Sequence, residues 1–173
     1  LGRQIPSFWS PEFLLFASGD LELGNADVFF MSLEGESNPS HLTETPFEEW
    51  APVLSPDGKY IAYHSNESGQ DEIYVTRYPS GDREKVSQGG GVFPAWNRWG
   101  NELFFQGDFN ILMVAKVITS PSLVIDTPRV LFDGNKFIPK LNISALGGYD
   151  IINEGRNFVV IQEVEARPQS SSV

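Results

Sequence analysis

The sequence predicts an all-β protein: a β-propeller of four-stranded antiparallel blades, with about three and a half to four blades in this chain. Three observations carry that expectation. The stretch Ser55 to Tyr63, a Ser-Pro-Asp-Gly turn and an apolar β-rich run, returns in altered form from Asn97 to Phe105. A period of about 40 residues built from short strands is how a propeller blade reads in sequence. Finally, 16 Gly and 12 Pro accompany 13% aromatic residues, which joins many turn formers to many strand formers.

The second unit is the clearest. Glu49 to Leu54 is its expected inner strand, closed by the Ser55-Pro56-Asp57-Gly58 turn, where Pro56 presets φ and Gly58 supplies a positive φ. Tyr60 to His64 reads as the second strand and Glu72 to Tyr78 as the third, with a turn at Asn66 to Gln70 between them. A short outer strand is expected near Glu84 to Ser87. The third unit repeats the plan with Val92 to Trp96, Glu102 to Gln106 and Ile111 to Val117. A longer link, Ile118 to Thr127, then leads to an outer strand near Arg129 to Phe132. In the first unit, Phe13 to Ala17 and Asp27 to Met31 match the second and third strands. Its turn, Trp9 to Phe13, lacks the Asp-Gly pair. Tyr149 to Ile152 and Asn157 to Gln162 resemble the opening of a fourth unit, giving one domain over residues 1–165 and a polar tail over 166–173.

A single blade cannot bury both its apolar faces, so stacked neighbours are expected to hide Trp50, Leu54, Tyr63, Phe93, Trp96 and Phe104 between them. An open arc leaves its terminal faces wet. Either the N-terminal strands close against the Tyr149–Gln162 segment, or two chains form a homo-oligomer that completes the ring.

The run from Thr45-Pro46-Phe47 through Ser55-Pro56-Asp57-Gly58 and Ser65 to Gly69, up to Asp71-Glu72-Ile73-Tyr74-Val75, resembles the WD-like propeller repeat of TolB-type proteins. So does Val86 to Gly91 leading into Pro94-Ala95-Trp96. The same repeat occurs in propellers C-terminal to some bacterial serine/threonine kinases. The third unit departs by carrying Asn97-Arg98-Trp99-Gly100 where the family prefers Ser-Pro-Asp-Gly. The resemblance implies a binding platform with no chemistry of its own, in a bacterial signalling or envelope protein, on the periplasmic or extracytoplasmic side. A propeller attached to a hydrolase, as a peptidase gate or a glycosidase, is the alternative. Propellers host many functions, so the fold alone does not choose between them.

Composition narrows the partners. The net charge is −11, from 23 acidic and 12 basic residues, and the Lys and Arg residues are scattered singly, which disfavours nucleic acid and anionic lipid. No run approaches the ~20 apolar residues that span a bilayer, so membrane insertion is not expected. The absence of Cys removes disulfides and cysteine-based zinc sites. The start, Leu-Gly-Arg-Gln-Ile-Pro, does not read as a signal peptide, and the chain reads as a mature segment or a fragment.

Signals for chemistry are sparse. No Gly-x-Ser-x-Gly elbow occurs, and His41 and His64 are single histidines expected at a surface or strand edge. Asp20, Glu22, Asn25 and Asp27 place oxygens along one hairpin, where a solvated turn is the simpler expectation than calcium. Adjacent carboxylates such as Glu48-Glu49 and Asp71-Glu72 face opposite ways on a strand. Gly89-Gly90-Gly91 is followed by Val92-Phe93-Pro94 rather than Lys-Ser/Thr and a helix, which makes it a link and not a phosphate loop. No catalytic residue, metal or cofactor is expected. The expected binding rim gathers the loops entering the inner strands and the second-to-third hairpins: Glu48, Glu49, Trp50, Asn66, Glu67, Gln70 and Phe93. Trp and Phe beside carboxylates suit a protein or peptide partner of basic character, although Trp50 and Phe93 read somewhat more readily as core residues between blades.

Overall fold

The computed structural model describes residues 3–20, 25–35, 37–79, 81–107, 111–134, 149–152 and 157–160. All regular elements among them are strands, arranged as successive antiparallel sheets. The first sheet holds β1 (Arg3–Trp9), β2 (Phe13–Asp20), β3 (Asn25–Ser32) and β4 (Ser40–His41), in that order. The second holds β5 (Glu49–Leu54), β6 (Tyr60–Ser65), β7 (Glu72–Arg77) and β8 (Arg83–Lys85). The third runs β9 (Val92–Trp96), β10 (Glu102–Gln106) and β11 (Ile111–Ile118). Two strands pair with β11: the short β12 (Val124–Ile125) and the outer β13 (Arg129–Asp133). The pair β14 (Tyr149–Ile152) and β15 (Asn157–Val160) begins a fourth.

This is the expected order, with three additions. β1 supplies the inner strand of the first unit, β4 supplies its outer strand, and β12 occupies the link after β11. The turn that lost Asp-Gly still closes. The Ser10 hydroxyl accepts the amides of Glu12 and Phe13, both at 3.2 Å. Ser55 does the same for Tyr60 at 3.0 Å, and Asn97 Oδ1 for Asn101 and Glu102 at 3.1 and 3.3 Å. One polar side chain therefore anchors the same turn in three sheets. The expected tail, 166–173, lies outside the described residues.

Apolar side chains fill the spaces between sheets. Leu15 and Val28 of the first sheet meet Ile61, Tyr63 and Tyr74 of the second. Tyr60, Ala62, Ile73 and Val75 on the opposite face meet Leu103, Phe105, Ala115 and Val117 of the third. Phe104 on the far side of the third sheet contacts Phe158 of the fourth edge-on, with ring centroids 5.2 Å apart. Each large side chain fully buried this way contributes about 1.5–3 kcal/mol, which is why the sheets stack instead of standing alone.

The inner strands share a deformation. The register of β5 on β6 shifts between Trp50 and Val53, and that of β9 on β10 between Phe104 and Gln106. At these bulges Ala51 and Phe93 hold φ of 51° and 53°. Each precedes a buried proline, Pro52 or Pro94, which has no N–H for the ladder, and a bulge is where a strand tolerates that loss.

Candidate functional site

The seven residues expected at a rim lie where β5 begins and β6 turns into β7, with Phe93 entering from β9, but they do different jobs. Asn66 is a clamp. Its Oδ1 accepts the Glu48 amide at 3.0 Å, and its own amide donates to the Glu48 carbonyl at 3.3 Å. Glu67 is neutralised by Arg83 Nη1 at 2.9 Å. Gln70 donates through Nε2 to Glu72 Oε1 at 2.8 Å. Trp50 is half-buried in the strand, paired across the ladder with His64.

Glu49 is not on the rim at all. Its side chain is completely buried, where Oε1 accepts the hydroxyls of Thr45 (2.6 Å) and Ser65 (3.2 Å). Oε2 has no hydrogen-bond partner among the described residues. Burial raises its pKa above the usual carboxylate value, and the hydroxyls of Thr45, Thr43 and Ser65 only partly offset that. Period-two alternation on β5 explains the split: Glu48 and Glu49 are neighbours in sequence and so face opposite ways.

What remains at the rim is Phe47, Glu48 and Phe93, joined by Asp71. Phe47 is exposed and Glu48 half-exposed. Asp71 is exposed as a residue, yet its pKa is raised, first by partial burial of the carboxylate and then by the charge of Glu48. Among the described residues neither Glu48 nor Asp71 forms an ion pair. Phe93 is half-buried against His64, ring centroids 5.6 Å apart, and its amide points to His64 Nδ1 at 3.5 Å. The Phe93 carbonyl accepts the Tyr149 hydroxyl at 2.6 Å. Asp71 was legible as an acidic residue beside Glu72, but not as the neighbour of Glu48, because that proximity arises only when the hairpin folds back.

Both histidines are committed. His64 is buried in β6 rather than exposed at its edge, and burial lowers its pKa to about 4, so it is neutral at pH 7. His41 does lie exposed in an outer strand, its ring 4.2 Å from that of Phe29. Of the hairpin oxygens considered for calcium, Glu22 lies outside the described residues, while Asp27 Oδ1 accepts the Thr45 amide at 3.1 Å. No group of three metal-binding side chains occurs among the described residues. The glycine triplet does cradle an anion, but one of the chain's own. The amides of Gly89 and Gly90 donate to Glu72 at 3.0 and 3.2 Å, with φ of 86° and 106°. Ser87 and Lys85 complete that carboxylate's shell. Its pKa is lowered, because these bonds outweigh the burial that would raise it.

At the opposite end of the sheets the three anchored turns ring an open cleft of about 600 Å³, floored by Phe8, Val53, Leu54 and Trp96. Exposed Trp9 and Trp99 flank it in sequence, and the Arg98 guanidinium lies 5.0 Å from the Trp99 ring centroid. The sequence held its signal in the alignment of Ser10, Ser55 and Asn97, visible only once β1 is recognised as an inner strand.

No protein-family model matches the chain. A TolB homologue of Chlorobaculum tepidum is 29% identical over 96 residues, which is 53% of this chain and 22% of that protein. The solved TolB structure from Agrobacterium tumefaciens superposes with a TM-score of 0.59 at 20% identity, over 75% of this chain and 49% of the other. TolB from Acinetobacter baumannii gives 0.53 at 19%, over 76% and 33%. The chain thus spans about half, or less, of the length of each of these relatives. The sequence match and the structural superpositions agree with the strand-by-strand reading above: the chain folds as β-propeller repeats similar to those of TolB.

Proposed function

We propose that the chain is a non-catalytic binding module that recognises a basic peptide or protein segment at the Phe47–Glu48–Asp71–Phe93 rim. The observation that carries this reading is the pair Glu48 and Asp71: the Asp71 pKa is raised first by partial burial and then by the charge of Glu48, and neither carboxylate forms an ion pair among the described residues. Two like charges left unneutralised at a surface cost free energy that a Lys or Arg from a partner removes. Phe47 and Phe93 lie nearby to cover the aliphatic stem of such a residue. Resemblance to TolB-type repeats supports a protein partner and an extracytoplasmic location.

The test is titration of a labelled Lys-rich peptide against the wild type and the Glu48→Gln/Asp71→Asn double variant, with a Glu-rich peptide as control. Loss of two rim charges weakens the Lys-rich peptide roughly fivefold at low salt, and the wild-type affinity falls as salt rises. Equal affinity for wild type and double variant overturns this rim.

A further inference from the structure

The third sheet departs from the repeat in two places, and both departures meet in one pocket. The first is its turn. Counted from the anchoring side chain, Glu12, Asp57 and Trp99 hold the same position in the three turns. Asp57 works for its own turn, where Oδ1 accepts the Ser55 hydroxyl at 2.6 Å and the Lys59 amide at 3.2 Å. In the third turn Asn97 does that work alone, through Oδ1 to the amides of Asn101 and Glu102 and through Nδ2 to their side chains. Gly58 and Gly100 keep the same backbone, with φ of 72° and 69°. Trp99 is therefore released from the turn, and it joins neither core cluster. It is 60% exposed, with the Arg98 guanidinium over the ring, 5.0 Å from its centroid.

The second departure is the link from β11 to β13. Residues 78–82 make the equivalent connection in the second sheet, whereas here it takes residues 119–128 and adds β12. The link is held down. Val117 and Ile118 pair with Ile125 and Val124, and Leu123 and Ile125 pack on the core cluster. The Tyr60 hydroxyl of the second sheet donates to the Thr119 carbonyl at 3.4 Å. The Asp126 amide donates to the Lys116 carbonyl at 2.9 Å, which sets Asp126 beside Lys116. Insertions into a repeat often gather on the face that binds.

Trp99, Asn101, Glu102, Lys116, Ile118 and Asp126 line a pocket of about 410 Å³, within the range that holds small molecules. Its polar groups are of both kinds. Glu102 and Asp126 accept, Lys116 donates, and Asn101 donates through Nδ2 because its Oδ1 is taken by Asn97. Among the described residues neither Lys116 nor Asp126 forms an ion pair. A guest of either charge meets a like charge here, and an apolar side chain leaves these groups without partners. Neighbouring hydroxyls, each able to donate and accept, answer both kinds. The C–H face of a pyranose ring is apolar and flat enough to lie against an indole. We infer that this pocket binds the ring of a neutral sugar, packed on Trp99 and hydrogen-bonded by Asn101, Lys116 and Asp126. None of these residues belongs to the proposed rim, so the two readings stand or fall separately.

The test is titration of the ¹⁵N-labelled chain with methyl β-D-glucopyranoside and with methyl β-D-galactopyranoside, following the Trp99 indole N–H, which is assigned by its loss in Trp99→Phe. At least one glycoside should shift that signal saturably, together with the amides of Asn101, Lys116 and Asp126, and added salt should leave the affinity unchanged. Trp99→Ala should weaken binding about tenfold, and Asp126→Asn about threefold. Trp99 lies outside both core clusters, so its variant keeps the wild-type circular dichroism, and the wild-type titration is decisive without it. The inference is overturned if neither glycoside gives a saturable shift at Trp99, or if a folded Trp99→Ala variant binds as the wild type does. It is equally overturned if a neutral Leu-rich peptide shifts these signals and the glycosides do not, which makes the pocket a peptide site.

Discussion

The Trp96 indole donates its N–H to the Val53 carbonyl over 3.3 Å, tying the inner strand of the third sheet to that of the second. This bond crosses a bulged region where the ladder is incomplete, so it fixes how closely the two sheets approach. Trp96→Phe keeps most of the apolar contact and loses the bond, leaving a carbonyl short of one donor. It should cost about 1 kcal/mol in urea unfolding, with an unchanged slope. Phe105→Ala, which empties a fully buried site in the same junction, should cost about 3–5 kcal/mol.

Two buried carboxylates, Glu49 and Glu72, should respond in opposite directions to the same substitution. Glu49 is raised by burial and half-satisfied, so its folded form holds a proton more tightly than the unfolded chain. Its contribution to stability is present below its ordinary value of 4.5 and is lost as pH rises through the raised value. Glu49→Gln should therefore be more stable than wild type at pH 7, with the gap closing in acid. Glu72 is lowered by Ser87, Gln70, Gly89 and Lys85, so its stabilisation is lost as pH falls. Glu72→Gln should destabilise by about 1–3 kcal/mol at pH 7. Thermal melts of both variants at pH 7 and pH 4 check the signs.

His64 sets the acid limb of the stability profile. Its pKa is lowered by burial from 6.5 to about 4, so between those values the unfolded chain takes up a proton that the folded chain refuses. Stability should fall by about 3 kcal/mol as pH drops through this window and level off below it. His64→Gln should flatten that part of the curve. A His64→Gln variant whose stability changes from pH 6.5 to 4 just as the wild type's does contradicts a buried neutral imidazole.

The turn anchors predict a local effect. Asn97 Oδ1 holds two amides of its turn while Nδ2 donates to Asn101 Oδ1 and Glu102 Oε2, and Asn97→Ala removes all four bonds without touching the cores between sheets. The loss should be about 1–2 kcal/mol in urea, with hydrogen exchange accelerating at Asn101 and Glu102 before it does at Phe104.

The architecture was legible because period-two alternation and turn chemistry are local, and every second strand and third strand in the first three units falls where the repeat predicts. β1 was harder to see. Its turn keeps the serine anchor at Ser10 but lacks the Asp-Gly pair, and the bulge between Pro6 and Phe8 breaks its alternation. The candidate site was only partly legible. Alternation separates the side chains of Glu48 and Glu49, but which of the two is buried, Glu49, was not readable from the sequence. It gave no reason to join Glu48 to Asp71, which meet across a hairpin. The glycine triplet read as slack because its anion, Glu72, lies far back in sequence.

The most direct test of the account is amide chemical-shift mapping of the ¹⁵N-labelled chain with a Lys-rich peptide. The account predicts shifts confined to the rim, at residues 47–48, 66–71 and 91–93, and attenuated in the Glu48→Gln/Asp71→Asn variant. Shifts centred instead on Phe8 to Phe13, Leu54 to Gly58 and Ala95 to Trp99 would place recognition in the opposite cleft and contradict it.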